Sequence, residues 1–313
     1  MEAPSQSFEP RSLSIVTAVH NSEASLAELC RRLGEVLPQV AAQHEIILVN
    51  DGSRDRSWEI ISELSSQSPA VRGLCLMRNY GQHNALLCGI RAAKYDVIVT
   101  MDDDLQQPPE EIPRLLASLD EGFDVVYGAP KAEQNGFMRA LASRITRLAL
   151  RAAIGSEVAK NVSPFRVFRT GLREAFAGYQ SPFVSIDVLL TWATTRFGAV
   201  TVAFQPRHSG SSNYTFTKLV RHALDMMTGF STAPLQLASL IGFSCTLFGI
   251  GVFFYVFARY CLEGSIPGFP FLASIIAIFS GAQLFALGVI GEYLARMHFR
   301  SMKRPAYVVR TMT

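Results

Sequence analysis

The sequence lacks the signatures of several common protein classes. Its five cysteines are scattered and include no Cys-x-x-Cys pair, which argues against a zinc site or a disulfide framework and favours a reduced compartment. No Gly-x-Gly-x-x-Gly or Walker motif follows a predicted strand, which excludes the usual dinucleotide and P-loop sites. The net charge of +3 is small and no nucleic-acid-binding motif accompanies it, so nucleic acid is not an expected partner.

Charge is scarce over one long part of the chain. Residues 235–258 and 266–291 contain no charged side chain, and each stretch is long enough for a helix that crosses a bilayer. The connection between them is short, so the two helices form a hairpin. Between His222 and Met297 the only charged residues are Asp225, Arg259, Glu263, Glu292 and Arg296.

Basic residues set the expected orientation of this hairpin. One lysine and four arginines follow the second span, and such residues favour the cytoplasmic side of a membrane. The polar residues 1–11 have no apolar core like that of a signal peptide. We therefore expect a protein of the inner or plasma membrane with two spans, with both the N-terminal domain and the C-terminal tail in the cytoplasm.

Two further stretches combine basic and apolar residues at helical spacing. Residues 138–152 and 213–232 are each typical of a helix that lies on an anionic membrane surface, although an ordinary solvated helix face remains the alternative. The chain then divides into a cytoplasmic domain at 1–212, a juxtamembrane helix at 213–232, the spans within 233–293 and a basic tail at 294–313.

Apolar strands alternate with amphipathic helices before residue 102. Strands that are apolar throughout predict a parallel sheet with helices on both faces, an α/β fold. Ligands of such sheets bind at the carboxyl ends of the strands, and polar residues follow each strand here. The predicted strands are Leu13–Val19, Glu45–Val49, Gly73–Met77 and Asp96–Met101, and the predicted helices are Glu23–Leu37, Arg56–Ser65 and Asn84–Ala93.

Three aspartates, Asp102 to Asp104, follow the fourth strand. Alternation along an extended chain would place Asp102 and Asp104 on one side, with Gln106 continuing the row. Carboxylates so spaced suit Mg²⁺ or Mn²⁺ that also binds phosphate oxygens, and such a cation would neutralise a departing diphosphate. The alternative is a solvated acidic turn before two prolines.

Several motifs together resemble a known family. Val49-Asn-Asp-Gly-Ser53, Arg78-Asn-Tyr-Gly-Gln82 and Met101-Asp-Asp-Asp-Leu-Gln106 with Pro108-Pro109 resemble the family-2 glycosyltransferases. Gly210-Ser-Ser-Asn-Tyr214, Phe230-Ser-Thr-Ala-Pro234, Gly291-Glu-Tyr-Leu-Ala-Arg296 and Arg304-Pro-Ala-Tyr307 are similar to those of the polyprenyl-phosphate glycosyltransferases. The resemblance implies a GT-A, Rossmann-like and mostly parallel sheet followed by the two-helix hairpin.

The same resemblance implies an activity. It is metal-dependent, inverting transfer of a sugar from a nucleotide sugar, with a UDP-sugar favoured, to a polyprenyl phosphate of the undecaprenyl-phosphate type. The product would serve cell-envelope glycan or lipid modification. Relatives of this kind assemble as homo-oligomers, often tetramers.

The resemblance also carries roles onto residues of this chain. Catalytic roles fall to Asp102, Asp104 and Arg166, and metal binding to Asp102, Asp104 and Gln106. The nucleotide sugar would contact Thr17, His20, Asp51, Asn79, Gly81, Asp102, Asp103, Arg207 and Ser212. The acceptor phosphate would contact Lys131, Arg139, Ser143, Arg144 and Arg166.

One departure from the family pattern bears on mechanism. Pro164 stands where relatives have an aspartate sometimes proposed as a base. A phosphate monoester is already mostly dianionic at pH 7, so it needs little help from a base. The larger cost is repulsion between two anions, about 4 kcal/mol per charge pair at about 4 Å and an effective dielectric constant of about 20. A cation and several arginines would offset this repulsion.

Two alternatives remain open from the sequence. A processive polysaccharide synthase of the same superfamily would need more spans and a Gln-x-x-Arg-Trp motif, and neither Trp58 nor Trp192 lies in such a motif. A lipid translocase or a non-catalytic scaffold is the other alternative. Two spans are few for a translocase, and the intact aspartate cluster argues against an inactive site.

Overall fold

The structure is a computed structural model that describes residues 11–130, 161–205, 232–263, 268–302 and 304–313. Strand and helix alternate up to residue 130, as the apolar pattern predicts. The strands are β1 (Ser12–Val19), β2 (Gln43–Asn50), β3 (Val71–Leu76), β4 (Val97–Thr100) and β5 (Val125–Pro130). The helices between them are α1 (Leu26–Val40), α2 (Ser57–Gln67), α3 (Gln82–Ala92) and α4 (Ile112–Asp120), the last preceded by a 3₁₀ turn at Pro109–Glu111.

The second half of the chain completes the sheet and adds two long helices. In chain order, the elements are β6 (Arg166–Arg169), a 3₁₀ segment (Thr170–Phe176), α5 (Ile186–Ala193), β7 (Phe197–Val202), α6 (Ala233–Glu263), α7 (Phe269–Ser301) and β8 (Val309–Met312). The predicted helices at 138–152 and 213–232 lie outside the described residues, apart from residue 232.

The described strands form one eight-stranded sheet in the order β7-β5-β6-β4-β1-β2-β3-β8. Its centre, from β4 through β1 and β2 to β3, is parallel, and β5 also pairs in parallel with β7. Strand β6 runs antiparallel between β4 and β5, and β8 runs antiparallel beside β3. The prediction of a mostly parallel GT-A sheet is confirmed, and the antiparallel strands are additions that no apolar pattern indicated.

Apolar side chains cover both faces of this sheet. On β1, Leu13 and Ile15 pack with α1 and α4 on one face, whereas Val16 points to the opposite face and packs with α3. All three side chains are fully buried. Burial of one such side chain contributes about 1.5–3 kcal/mol, so two covered faces hold the strands and their carboxyl ends in fixed positions.

The two long helices form the predicted hairpin. Candidate membrane spans run over Pro234–Leu262 in α6 and Ile278–His298 in α7, so the first agrees with prediction and the second lies further along the chain. Their large apolar side chains are exposed on the protein surface, as suits contact with lipid. The helices approach closely at Gly249, where a Cβ atom would lie 2.9 Å from the Phe279 ring.

The C-terminal tail differs from the prediction of a separate basic segment at 294–313. Helix α7 continues to Ser301, and β8 then joins the sheet, with the Met77 N–H donating to the Val308 carbonyl at 2.9 Å. Ala306 is buried among side chains of α3. Because β8 belongs to the same sheet as β1, the segment that follows the hairpin lies on the same side of the membrane as the N-terminal domain.

Truncation after Tyr307 tests the contribution of β8. We expect a lower unfolding midpoint in detergent, because the backbone hydrogen bonds to β3 are lost and each contributes about 1 kcal/mol. The Arg310→Ala variant keeps these bonds and changes only an exposed side chain, so its midpoint should equal that of the wild type. Equal midpoints for truncated and full-length protein would show that β8 adds no stability.

Candidate functional site

A cavity of about 440 Å³ opens at the carboxyl ends of β1, β2, β3 and β4. This is the edge of the sheet at which the alternating pattern predicted a site. Each of the four strands contributes lining residues from the loop that follows it. The lining consists of Ala18, Val19, His20, Asp51, Asn79, Gly81, Gln82, Asp102, Asp103, Asp104 and Pro164.

Asp51 fixes the wall of the cavity that follows β3. Its carboxylate accepts the backbone N–H groups of Tyr80 at 2.7 Å and Gly81 at 2.9 Å. Burial raises the pKa of Asp51, and these two N–H donors oppose that rise by stabilising the charged form. The residue therefore both lines the cavity and holds the loop that carries Asn79.

The turn after Asp51 has room only for glycine. Gly52 has φ +65°, and a Cβ atom there would lie 2.5 Å from the backbone nitrogen of Asn79 and 2.7 Å from the carbonyl carbon of Arg78. Positive φ is costly for other residues, and the contact is with backbone that cannot rotate away. The absence of a side chain at Gly52 thus lets two loops of the site touch.

Gly52→Ala is expected to lower the unfolding midpoint, with strain of about 1–3 kcal/mol. Gly178→Ala is the matched control, because a Cβ atom on Gly178 meets nothing within 4 Å. Thermal unfolding of both variants in detergent measures the difference. A Gly52→Ala protein as stable as the control would mean that the two loops are not held as closely as described.

His20 lies between the β1 and β2 loops. Its Nδ1 is 3.0 Å from the Asp51 carbonyl oxygen, and its Nε2 is 3.2 Å from the amide nitrogen of Asn21. Its Nδ1 also lies 3.2 Å from the side-chain amide nitrogen of Asn79, so the ring contacts the loops that follow both β2 and β3. This ring, half-enclosed by polar groups, forms part of the cavity wall.

The three aspartates all line the cavity, but their carboxylates have different partners. Asp102 accepts hydrogen bonds from Gln82 at 2.6 Å and from Gln107 at 2.8 Å. Asp103 accepts the Ser22 hydroxyl and the His20 backbone N–H, the latter at 3.1 Å. One cavity edge therefore concentrates three acidic groups.

Burial and electrostatic repulsion within this cluster both raise the pKa of Asp102. Burial, followed by the neighbouring carboxylates of Asp104 and Asp103, raises the pKa of Asp102 to about 7. The buried guanidinium of Arg166 and the Gln107 amide oppose the rise. A bound cation would stabilise the charged form of these carboxylates, which burial and mutual repulsion disfavour.

The predicted alternation of the aspartates is wrong. Strand β4 ends at Thr100, and the chain then bends, with Leu105 in a left-handed conformation at φ +62°. The bend places Asp103 at the cavity together with Asp102 and Asp104, whereas Gln106 does not line it. The Gln106 N–H instead donates to Asp104 Oδ1 at 3.1 Å. Two-residue alternation requires an extended chain, which this turn is not.

Arg166 is also placed differently from the prediction. It is almost fully buried, with 1% of its surface exposed, and forms an ion pair with Asp187 at the start of α5. Its Nε donates to Thr100 Oγ1 at 2.9 Å, and that hydroxyl donates to the Pro164 carbonyl at 2.8 Å. In this structure Arg166 supports the cavity from beneath and does not reach it, which corrects its expected contact with an acceptor phosphate.

Thr17 is a second correction. Its side chain is fully buried within β1 and does not line the cavity, so direct contact with a nucleotide sugar is not possible in this structure. Six other predicted site residues lie outside the described residues: Lys131, Arg139, Ser143, Arg144, Arg207 and Ser212.

The structure adds residues that the sequence prediction did not assign. Gln82 and Gln107 bind Asp102, Ser22 binds Asp103, and Asp187 neutralises Arg166. Gln82 is the last residue of the family-like motif Arg78-Asn-Tyr-Gly-Gln82, and Gln107 directly follows Gln106. Their positions in the sequence could therefore have indicated that they lie near the site. Asp187 gave no such signal, because it lies far along the chain from β4.

The chain is similar in sequence to known proteins over nearly its whole length. The chain matches the family described as glycosyl transferase family 2 over residues 14–176. It is 35% identical over 301 residues to an undecaprenyl-phosphate 4-deoxy-4-formamido-L-arabinose transferase of Shewanella sediminis, covering 95% of this chain and 91% of the relative. The protein of the same name from Pseudomonas fluorescens is 35% identical over 304 residues, with 95% and 88% coverage.

A solved structure supports the fold. Glucosyl-3-phosphoglycerate synthase from Mycobacterium tuberculosis, in complex with Mn²⁺ and UDP-glucose, superposes with a TM-score of 0.50 and 18% identity. The match covers 70% of this chain and 77% of that one. At this identity the similarity concerns the fold alone.

Proposed function

Because the chain belongs to glycosyl transferase family 2, we propose that its cavity binds a nucleotide sugar and transfers the sugar to a polyprenyl phosphate of the undecaprenyl-phosphate type. The observation that carries this proposal is a cavity lined by three aspartates on a chain with a membrane hairpin. The relatives from Shewanella and Pseudomonas are named for this acceptor, and the similarity spans nearly the whole chain.

The donor side of the proposal rests on the loops after β1, β2 and β3. Asp51, His20, Asn79 and Gly81 line the cavity beside the aspartates and offer polar groups to a base and ribose. A UDP-sugar is favoured over a GDP-sugar, since Arg78-Asn-Tyr-Gly-Gln-His83 is most like the aminoarabinose branch. The fold relative from Mycobacterium tuberculosis is itself described with UDP-glucose.

The aspartate cluster fits a divalent cation, Mg²⁺ or Mn²⁺. Its chemistry is that of a hard-cation site: carboxylates gathered on one turn, with the pKa of Asp102 raised by burial and by its acidic neighbours. Among the described residues no three His, Cys, Asp or Glu side chains are grouped so that they could hold a metal ion by themselves. We propose that phosphate oxygens of the donor complete the ligand set. Asp102 and Asp104, which line the cavity, would hold the cation, which neutralises the leaving diphosphate when bound.

In the proposed reaction, an oxygen of the lipid phosphate attacks the anomeric carbon of the sugar. The bond between that carbon and the diphosphate oxygen breaks, and its electron pair leaves with the nucleoside diphosphate. Attack opposite the leaving group inverts the configuration. The dianionic phosphate needs no base, which is consistent with Pro164 in the cavity wall, at a position where the family pattern that the sequence resembles has an aspartate.

The acceptor side requires positive charge near the membrane surface. We propose that Lys131, Arg139 and Arg144, with Ser143 as a neutral donor, bind the acceptor phosphate. Arg207, with Ser212 nearby, would bind the donor diphosphate, so that both sets of residues offset the repulsion between the two phosphate groups. Arginine suits this task because its planar fork binds phosphate through two hydrogen bonds. Arg166 contributes at a distance, as a buried positive charge that opposes the rise in the pKa of Asp102.

The topology constrains where the reaction occurs. Strand β8 follows the second span and pairs with β3, so the C-terminus and the sheet lie on one side of the membrane. The excess of lysine and arginine after the spans favours the cytoplasmic side. The donor would then be taken from the cytoplasm and the product formed on the inner leaflet. We also propose that the protein assembles as a homo-oligomer.

The decisive experiment offers undecaprenyl phosphate and a panel of UDP- and GDP-sugars to the protein purified in detergent, with Mg²⁺ or Mn²⁺. We expect one sugar added per lipid in a product labile to mild acid, identified by mass spectrometry, with inverted anomeric configuration by NMR. Long polymer products would favour a processive synthase instead. Failure of every donor to yield a lipid product would overturn the proposal.

A further inference from the structure

Gln107 makes an unusual pair of contacts beneath the aspartate turn. Its Nε2 donates to Asp102 Oδ2 at 2.8 Å, and its Oε1 accepts the backbone N–H of Asp102, also at 2.8 Å. The other carboxylate oxygen of Asp102 accepts Gln82 Nε2 at 2.6 Å. Each oxygen of the Asp102 carboxylate therefore accepts a hydrogen bond from a side-chain amide. The amide of Gln107 also accepts the backbone N–H of Asp102.

The two glutamines occupy different environments. Gln82 is exposed at the start of α3 and lines the cavity, so it is available to a ligand. Gln107 has 2% of its surface exposed and does not line the cavity. It precedes the buried Pro108 and Pro109, whose rings restrict the backbone that follows it. The backbone at Gln107 is thus held in place, and so is the side chain that contacts Asp102.

We propose that Gln107 is a positioning residue that fixes the orientation of Asp102 toward Gln82 and thereby sets the shape and charge of the site for the donor diphosphate and its cation. The inference rests on the function proposed above. Two-point contact by a neutral amide removes the rotational freedom of the Asp102 side chain without adding charge to the cluster. A carboxylate at position 107 would face the Oδ2 atom of Asp102 and repel it.

Two variants separate this role from simple packing. Gln107→Met keeps the length of the side chain but loses both hydrogen bonds, and Gln107→Glu keeps its shape but loses the donor. We expect both to lower kcat for sugar transfer and to weaken calorimetric binding of UDP in the presence of Mn²⁺ by roughly 10- to 100-fold, the usual effect of losing a residue that orients a metal ligand. Gln67→Met changes an exposed glutamine of α2 and should leave both values unchanged.

The unfolding midpoint is measured for each variant, since a packing role alone would lower it without altering kcat or UDP affinity. Folded variants with kcat and UDP affinity within twofold of the wild type would overturn the inference. If the methionine variant does not fold, the glutamate variant decides. Wild-type protein that transfers no sugar would instead remove the proposed function, and the inference with it.

Discussion

Replacement of Asp104 by alanine is expected to reduce sugar transfer by roughly a thousandfold while leaving the protein folded. Loss of one preorganised group that stabilises the charge of a leaving group typically costs about 10²–10³ in rate. Stability should not suffer, because Asp104 is one of the two carboxylates that raise the pKa of Asp102. We therefore expect the substitution to change activity without changing stability.

The measurement is transfer of radiolabelled sugar into a chloroform-soluble product, alongside thermal unfolding in detergent. Glu63→Ala removes an exposed carboxylate from α2 and serves as the control for loss of one negative charge. The wild type should lose activity when a chelator removes divalent cations and regain it with Mg²⁺ or Mn²⁺. Full activity of the Asp104→Ala protein, with or without chelator, would show that the cation assignment is wrong.

Asp187→Ala is expected to produce the largest loss of stability among single substitutions near the site. It would leave the guanidinium of Arg166 buried without its ion-pair partner, a change that typically costs about 3–5 kcal/mol. The hydroxyl of Tyr127 would also lose its acceptor, since it donates to Asp187 at 3.1 Å. Denaturant or thermal unfolding should therefore show a much lower midpoint.

A second variant shows whether the unpaired charge is the cause. Replacing both partners, as Arg166→Met with Asp187→Leu, removes the buried charges together and should recover much of the lost stability. It should not recover activity, because Arg166 is the positive charge that opposes the rise in the pKa of Asp102. Arg114→Ala breaks an exposed ion pair with Glu111 and should leave the midpoint unchanged. Equal stability of the single and double variants would contradict this account.

The sequence by itself determined the features that depend on local periodicity. Continuous apolar runs located the ends of β1 to β4 to within two residues, because a strand buried on both faces tolerates few polar residues at any position. Two uncharged stretches located the hairpin, since a bilayer admits only apolar helices of that length. The polar residues after the strands located the site, because parallel strands end at one edge of the sheet.

Tertiary structure decided everything that depends on contacts between distant residues. Arg166 and Asp187 lie 21 positions apart in the chain, and only the antiparallel insertion of β6 beside β4 buries them together beneath Thr100. Strand β8 pairs with a strand more than 200 residues earlier, and four residues of mixed polarity carry no periodic signal of their own. The bend at Leu105 overrode the alternation expected for the aspartates, because side-chain direction follows backbone dihedral angles that composition does not specify.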